Sequence, residues 1–320
     1  MLSSTADHLY WLARNMERAE NAARMLDVTN RIGLLPHAET TPAQHWGAVL
    51  AISGLHGDFA RRFDALTAEN VIYFMSLDAE NPASIHACLQ SARENARAVR
   101  AAISVEMWET LNATWLEVKD TPIDRLQGEG AAQFFDWVKE RSHLSRGVTY
   151  GTMLRDDAFR FLRVGTFLER ADNTARILDV KYHILLPSLA AVGGAADYYQ
   201  WSALLRSVSA LSAYRKIYKN TIAPRQVADL LILRADMPRS LAMCLQEVHR
   251  LVDELGGPQA DELRRQCGLL DAELRYGRID DILAIGLHEY LTSFLQRIYT
   301  IGDLVNTTYF WSFDGREHAA

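Results

Sequence analysis

Five polar residues recur on one face of a helix, and they do so twice in this chain. In the first occurrence they are Glu17, Glu20, Asn21, Arg24 and Asp27. In the second, 152 residues further on, they are Glu169, Asp172, Asn173, Arg176 and Asp179. On a wheel of 100° per residue each set falls within an arc of about 120°. Carboxylates so grouped accept protons or hold a divalent cation. Arginines match carboxylate and phosphate oxygens bidentately. Were the two faces to converge, they would suit a ligand rich in amino, carboxylate or phosphate groups. Glu17, Glu20, Glu169 and Asp172 are therefore the candidate catalytic carboxylates. Glu17, Asn21, Arg24, Asp27, Glu169, Asn173, Arg176 and Asp179 form the candidate ligand-binding set.

A structural reading competes with this one. Glu20–Arg24 and Arg24–Asp27 have the i,i+4 and i,i+3 spacings of ordinary helix salt bridges, each worth ~0.2–0.5 kcal/mol when exposed. Such pairs tolerate exchange of Glu for Asp and Arg for Lys. Yet Glu, Arg, Asn, Arg and Asp are unchanged between the two runs, while the surrounding sequence differs far more. Arg18 and Arg170 lie off the arc, and a buried ion pair with another helix is expected for each. A di-iron site is disfavoured, because it needs Glu-x-x-His and the position three after Glu17 or Glu169 is Glu20 or Asp172. The arginines compensate much of the negative charge, which leaves magnesium a minor alternative. No metal or cofactor is expected.

The remaining candidates are weaker. His8, His143, His183 and His288 stand alone, and a lone histidine is more often packed or capped than catalytic. Tyr214-Arg215-Lys216 and Arg239 are basic points of the second half; the first has Phe59-Ala60-Arg61 and Ala83 there, so any anion binding by them would be asymmetric. Arg93 to Arg97 repeats the stripe chemistry on another helix and is expected to pair with the stripe or with solvent. Gly193-Gly194 lacks the Lys-Ser/Thr of a phosphate loop, and no Gly-x-Ser-x-Gly elbow occurs.

The elements that position these residues are helices. Apolar residues recur at three and four, as in Leu89, Ala92, Ala96, Val99 and Ile103. No alternating strand pattern appears. Residues 17–28 and 169–180 are identical at nine of 12 positions. At an offset of 155, Trp46 falls on Trp201, and Phe59 and Phe63 on Tyr214 and Tyr218. At 156, the run from Pro82 to Gln90 falls on Pro238 to Gln246 with Pro, Ser, Cys, Leu and Gln shared. These colinear matches predict an internal duplication: a first helical repeat over 1–150 and a second over 151–320. Each would hold five or six helices, with matched helix starts whose prolines lie in or near the first turn at Pro82 and Pro238. Thr121 to Gly130 reads as a loop. The fold class expected is all-α, two tandem helical bundles related by pseudo-two-fold symmetry.

Composition narrows the function classes. The net charge of −6 gives no basic footprint for nucleic acid or an anionic membrane. Three cysteines, Cys88, Cys244 and Cys267, form no CxxC and read as buried thiols in a reducing compartment. The N-terminus lacks a signal-peptide pattern. The most apolar stretch, Ile184 to Ala196, is broken by Pro187 and Gly193-Gly194 and is too short to span a bilayer. A cytoplasmic location follows by elimination.

The same residues carry a family resemblance. The run from Trp11 to Asn21, the run from Leu168 to Arg176 continued by Leu178 to His183, and the segment Ala92 to Arg97 resemble the bacterial Alpha-E family. So do Ala213-Tyr214-Arg215, Pro238-Arg239-Ser240 and Gly286-Leu287-His288. The resemblance runs nearly end to end. It implies an all-α domain with a Glu-Arg motif, in a family of unknown function. Its members are encoded beside, or fused to, a circularly permuted ATP-grasp ligase, often near a transglutaminase-like peptidase. ATP-grasp enzymes join a carboxylate to an amine through an acyl-phosphate. The function so implied is a non-ATP-binding component of an amide- or peptide-ligase system, which binds the ligase or its peptide-like substrate through the two stripes. An enzyme in its own right, with a carboxylate base and an arginine anion clamp, is the alternative, and a purely structural scaffold a second.

Overall fold

The computed structural model describes residues 1–33, 42–184 and 195–310. The first helix, α1 (Ser3–Gly33), is the longest. It is followed by α2 (Pro42–Ser53), α3 (His56–Ala60), α4 (Ala68–Ser76), α5 (Ile85–Ala98), α6 (Val105–Val118) and α7 (Glu129–Thr152). The chain then enters α8 (Asp157–Ile184), α9 (Ala195–Ser207), α10 (Leu211–Tyr218), α11 (Pro224–Ile232) and α12 (Leu241–Leu255). It closes with α13 (Asp261–Tyr276), α14 (Ile279–Ile285) and α15 (Leu287–Val305). Among the described residues there is no strand, and no helix is long and apolar enough to cross a membrane.

The fold is all-α, as expected, with more helices than the five or six per half that periodicity suggested. The additional ones, such as α3 and α14, are too short to show a period. The Thr121–Gly130 segment is not wholly a loop: it holds a 3-10 turn at Ile123–Leu126 and the start of α7. The two matched helix starts are present. Ser84 caps α5 by accepting from the Ala87 amide, and Ser240 caps α12 by accepting from the Met243 amide. Pro82 and Pro238 lie two residues before these caps, near the first turn as expected.

Helices α1 and α8 pack against each other at the centre of the molecule. On its other sides α1 meets α5 and α7, and α8 meets α12 and α15. Close approach of the central pair is permitted by Gly165, where a Cβ would fall 2.4 Å from the Tyr10 carbonyl oxygen. Two apolar cores flank the pair. One is built from residues 6–138 with the start of α8, including Phe161 and Leu162. The other is built from residues 164–305 and admits Tyr10 and Met25 of α1. Each core thus borrows from the central helix of the other. After α15 the chain makes one turn of π-helix, Asn306–Phe310. Tyr309 packs edge-on to Phe161 and Phe310 lies against Tyr10, touching both cores.

Packed against α5, α7 and α8, the face of α1 that carries the polar stripe is turned away from solvent. Glu17, Glu20, Asn21, Arg24 and Asp27 are all buried. So are Glu169, Arg170 and Asn173 on α8. Desolvating charges at this depth costs several kcal/mol per ion unless each is paired and hydrogen-bonded.

Candidate functional site

The Glu-Arg pairs of α1 and α8 exchange partners. Arg170 of α8 donates to Glu17 of α1, Nε to Oε1 at 3.0 Å and Nη2 to Oε2 at 2.9 Å. Arg18 of α1 donates to Glu169 of α8, Nε to Oε1 at 2.6 Å and Nη2 to Oε2 at 3.0 Å. Both pairs are bidentate. Each of the two off-stripe arginines thus forms an ion pair with the other helix's glutamate. The side of each helix that carries the arginine faces the stripe of the other.

Around Glu17 and Glu20 the pairing extends further. Arg239, just before α12, donates through Nη1 to Glu17 Oε1 at 2.8 Å and to Asn21 Oδ1 at 3.0 Å. Its Nη2 donates to Glu20 Oε1 at 2.6 Å. Arg146 of α7 donates to Glu17 and to Glu20, and Ser142 donates to Glu20 Oε2 at 2.7 Å. Arg24 donates to Glu20 at 2.7 Å and to the Ser209 hydroxyl at 2.6 Å. Two carboxylates here face four guanidiniums. Burial alone would raise the Glu17 carboxyl, but Arg170 and Arg239 overcome it and hold it at about 2. Burial opposes ionisation of Glu20 as well, yet Arg239, His143, Arg146 and Arg24 draw it well below the usual carboxylate range. These two groups are locked as anions and accept no proton near neutrality.

The Glu169 end is built differently. Arg14 donates to Glu169 Oε2 at 2.7 Å, beside Arg18, and these two cations lower its carboxyl against the effect of burial. Asp172 receives Arg176 Nε on Oδ2 at 2.8 Å. Arg176 also donates to the Ile52 carbonyl at 3.2 Å and to the Tyr299 hydroxyl. The Tyr299 hydroxyl also lies by the Asp172 carboxyl, whose buried Oδ1 has no partner among the described residues. Burial outweighs Arg176 here, and the Asp172 carboxyl is raised. Of the four candidate carboxylates, Asp172 is the one whose carboxyl is raised above its ordinary value.

The two stripes meet in one cavity only in part, through Asn21 of the first. Glu17 lines a void of about 30 Å³ with Ser142, Ser145, Arg146 and Arg163. Arg24 and Asp27 line one of about 210 Å³ with Arg31, Lys139 and Arg206. The largest of the three, about 240 Å³, is lined by Glu169, Asp172, Asn173 and Arg176 of α8, Arg18 and Asn21 of α1, and Ala83 before α5. Asn21 is 3 % exposed; Arg239 occupies its Oδ1, and its Nδ2 has no partner. Two of the residues that line this cavity, Asn21 and Asp172, thus each hold one buried polar atom without a partner among the described residues.

The distal stripe residues are separately satisfied. Asp27 binds Arg31 at 2.7 Å and Lys139 at 2.8 Å, and Asp179 binds His288 at 2.6 Å. His8 bonds Asn95 at 2.8 Å, and His143 lies 3.2 Å from Arg24. The side chain of His183 and most of the apolar stretch from Ile184 to Ala196 lie outside the described residues. Arg93 pairs with Glu94 and Asn112, and Arg97 with Glu94, so this segment does not reach the stripe. Among the described residues no group of three or more His, Cys, Asp or Glu is placed to hold a metal ion.

Sequence reasoning missed Arg14, Arg146, Ser142 and Arg163. Arg14 was findable, since it stands four residues before Arg18 on the same face. Arg163 is buried against the Tyr150 and Phe167 rings, and burial lowers it to about 10. Nothing local marks Arg146 or Ser142, which reach the site only because α7 packs along α1.

A helical protein whose two central helices exchange Glu-Arg pairs around a buried polar centre is the class that fold and site define. The Alpha-E family, described as a predicted alpha-helical domain with a conserved ER motif, matches residues 1–310, and the chain belongs to it. Uncharacterized proteins of Mycobacterium bovis and Mycobacterium tuberculosis are 23% identical over 326 residues, covering 94% of this chain and 36% of theirs. The chain thus spans about a third of the length of these relatives. No solved structure matches.

Proposed function

We propose that the protein is the non-ATP-binding component of an amide- or peptide-forming system. It holds a small amino-acid- or peptide-like ligand in the cavity between α1 and α8 and presents it to a circularly permuted ATP-grasp ligase. The observation that carries this reading is a cavity of about 240 Å³, two of whose lining residues, Asn21 and Asp172, each keep a buried polar atom unpartnered among the described residues. Leaving a buried donor or acceptor unmade costs about 1–3 kcal/mol each. A ligand with both an acceptor and a donor removes both penalties at once. The absence of a phosphate loop from the sequence fits a partner that supplies the nucleotide chemistry. The family resemblance supplies the identity of that partner.

Two measurements test it. Calorimetric titration with dipeptides should detect binding that Asn21→Leu abolishes. Co-purification with the ATP-grasp protein should change the ligase's ATP turnover. No dipeptide binding together with no effect on turnover would sink the proposal. A second reading, an enzyme acting on an amino-acid derivative, draws on the raised Asp172 carboxyl. It requires turnover of an amide substrate by this protein alone, without ATP, and loss of that turnover in Asp172→Asn.

A further inference from the structure

The cavity has a filled counterpart within the same molecule. Arg239 occupies a pocket floored by Glu17, Glu20 and Asn21, and donates to all three. At the 152-residue offset those acceptors correspond to Glu169, Asp172 and Asn173, the floor of the open cavity. At the 156-residue offset Arg239 corresponds to Ala83, which also lines that cavity. Each of these two residues stands one position before the serine that caps its helix, Ser84 or Ser240. The two frameworks therefore match, and where one carries a guanidinium the other carries a methyl group and space.

From this we infer that the cavity at Ala83 takes a cationic ligand group, a guanidinium or a primary ammonium, in the place that Arg239 fills on the other side. The inference rests on the reading above that the cavity is a ligand site, and it names the chemistry of the ligand's head group. Three observations favour it. Asp172 Oδ1, which corresponds to a Glu20 oxygen, is buried and unpartnered among the described residues, whereas both Glu20 oxygens are fully engaged. The buried Asn173 side chain makes no hydrogen bond among the described residues, whereas Asn21 Oδ1 accepts from Arg239. The number of charged partners follows the same pattern. Glu169 and Asp172 are opposed by Arg14, Arg18 and Arg176. One more cation brings this end to the same two carboxylates and four cations found around Glu17 and Glu20. Asn21 Nδ2 and Arg18 then remain for a carboxylate or carbonyl of the same ligand. An amino acid with a basic side chain, or the amino end of a peptide, has both groups.

Titration calorimetry of the full chain with agmatine, L-arginine and L-glutamate tests the inference. Agmatine and arginine should bind, and Asp172→Asn should weaken both at least about tenfold. In Ala83→Arg the introduced side chain should occupy the cavity itself, abolish binding and leave the melting temperature unchanged or higher. If that variant does not fold, Asp172→Asn still decides. A third arm uses Arg239→Ala, which should regain melting temperature in methylguanidinium chloride beyond any change seen in the unaltered protein. Binding of glutamate and not agmatine would overturn the cationic head group and leave the ligand site intact. Binding of none of the three would overturn both. Failure of methylguanidinium to rescue Arg239→Ala would remove the counterpart on which the inference stands.

Discussion

Replacing Glu17 by Gln preserves shape and removes one charge. Glu17 is 1 % exposed and accepts from Arg170, Arg239 and Arg146. Two routes give the cost. Holding a carboxyl at about 2 against its ordinary value of 4.5 corresponds to about 3 kcal/mol of stability at neutral pH. Removing one partner of a buried pair costs about 3–5 kcal/mol, because the remaining charge is left uncompensated. With an unfolding entropy of about 2.1 cal/mol/K per residue, 3–5 kcal/mol lowers the melting temperature of 320 residues by roughly 4–7 °C. Thermal unfolding followed by circular dichroism at pH 7 measures it. The pH dependence supplies a second check. The folded value lies below the unfolded one, so the stabilisation is present above about 4.5 and is lost as pH falls towards 2. The gap between the unaltered protein and Glu17→Gln should therefore narrow from pH 5 downwards. A fall of less than about 1 °C at neutral pH, or a gap undiminished at pH 2, would refute the electrostatic account and leave only packing.

Three further outcomes follow from the same geometry. Asp172→Asn should shift stability by less than about 1 kcal/mol in chemical denaturation at pH 7, because burial already penalises its charge; a loss as large as that of Glu17→Gln would make Asp172 a structural residue. Its raised carboxyl acts in the opposite sense to Glu17, with any stabilisation present below the unfolded value and lost as pH rises through the folded one. Gly165→Ala should cost about 1–3 kcal/mol by the same measurement, since the new Cβ meets Tyr10 backbone rather than a flexible side chain; an unchanged midpoint would show that α1 and α8 slide apart freely. All three thiols are buried and pushed up to about 12, so Ellman's reagent at pH 8 should titrate none of them until denaturant is added.

Composition and local pattern determined much of this protein. Helical periodicity, the matched helix starts at Pro82 and Pro238, and the absence of alternating runs pointed to an all-α fold, because each is a short-range property of the chain. The repeated stripe was legible for the same reason, since residues at three and four share a face whatever packs on it. The offset that sets Ala83 against Arg239 was also visible, and with it the asymmetry of the two halves.

What the stripe does was settled by packing alone. A wheel divides a helix into faces and says nothing of which face meets solvent. Only the enclosure of α1 by α5, α7 and α8 buried the stripe and made pairing obligatory. Arg18 and Arg170 found partners 151 and 153 residues away, Arg239 reached acceptors more than 200 residues away, and Arg146 arrived from α7. Whether a buried carboxyl is lowered or raised depends on how many guanidiniums reach it. Glu17 and Glu20 are saturated, and Asp172 keeps one buried oxygen unmatched among the described residues. That difference arises from side chains brought together across the whole chain, and no local pattern encodes it.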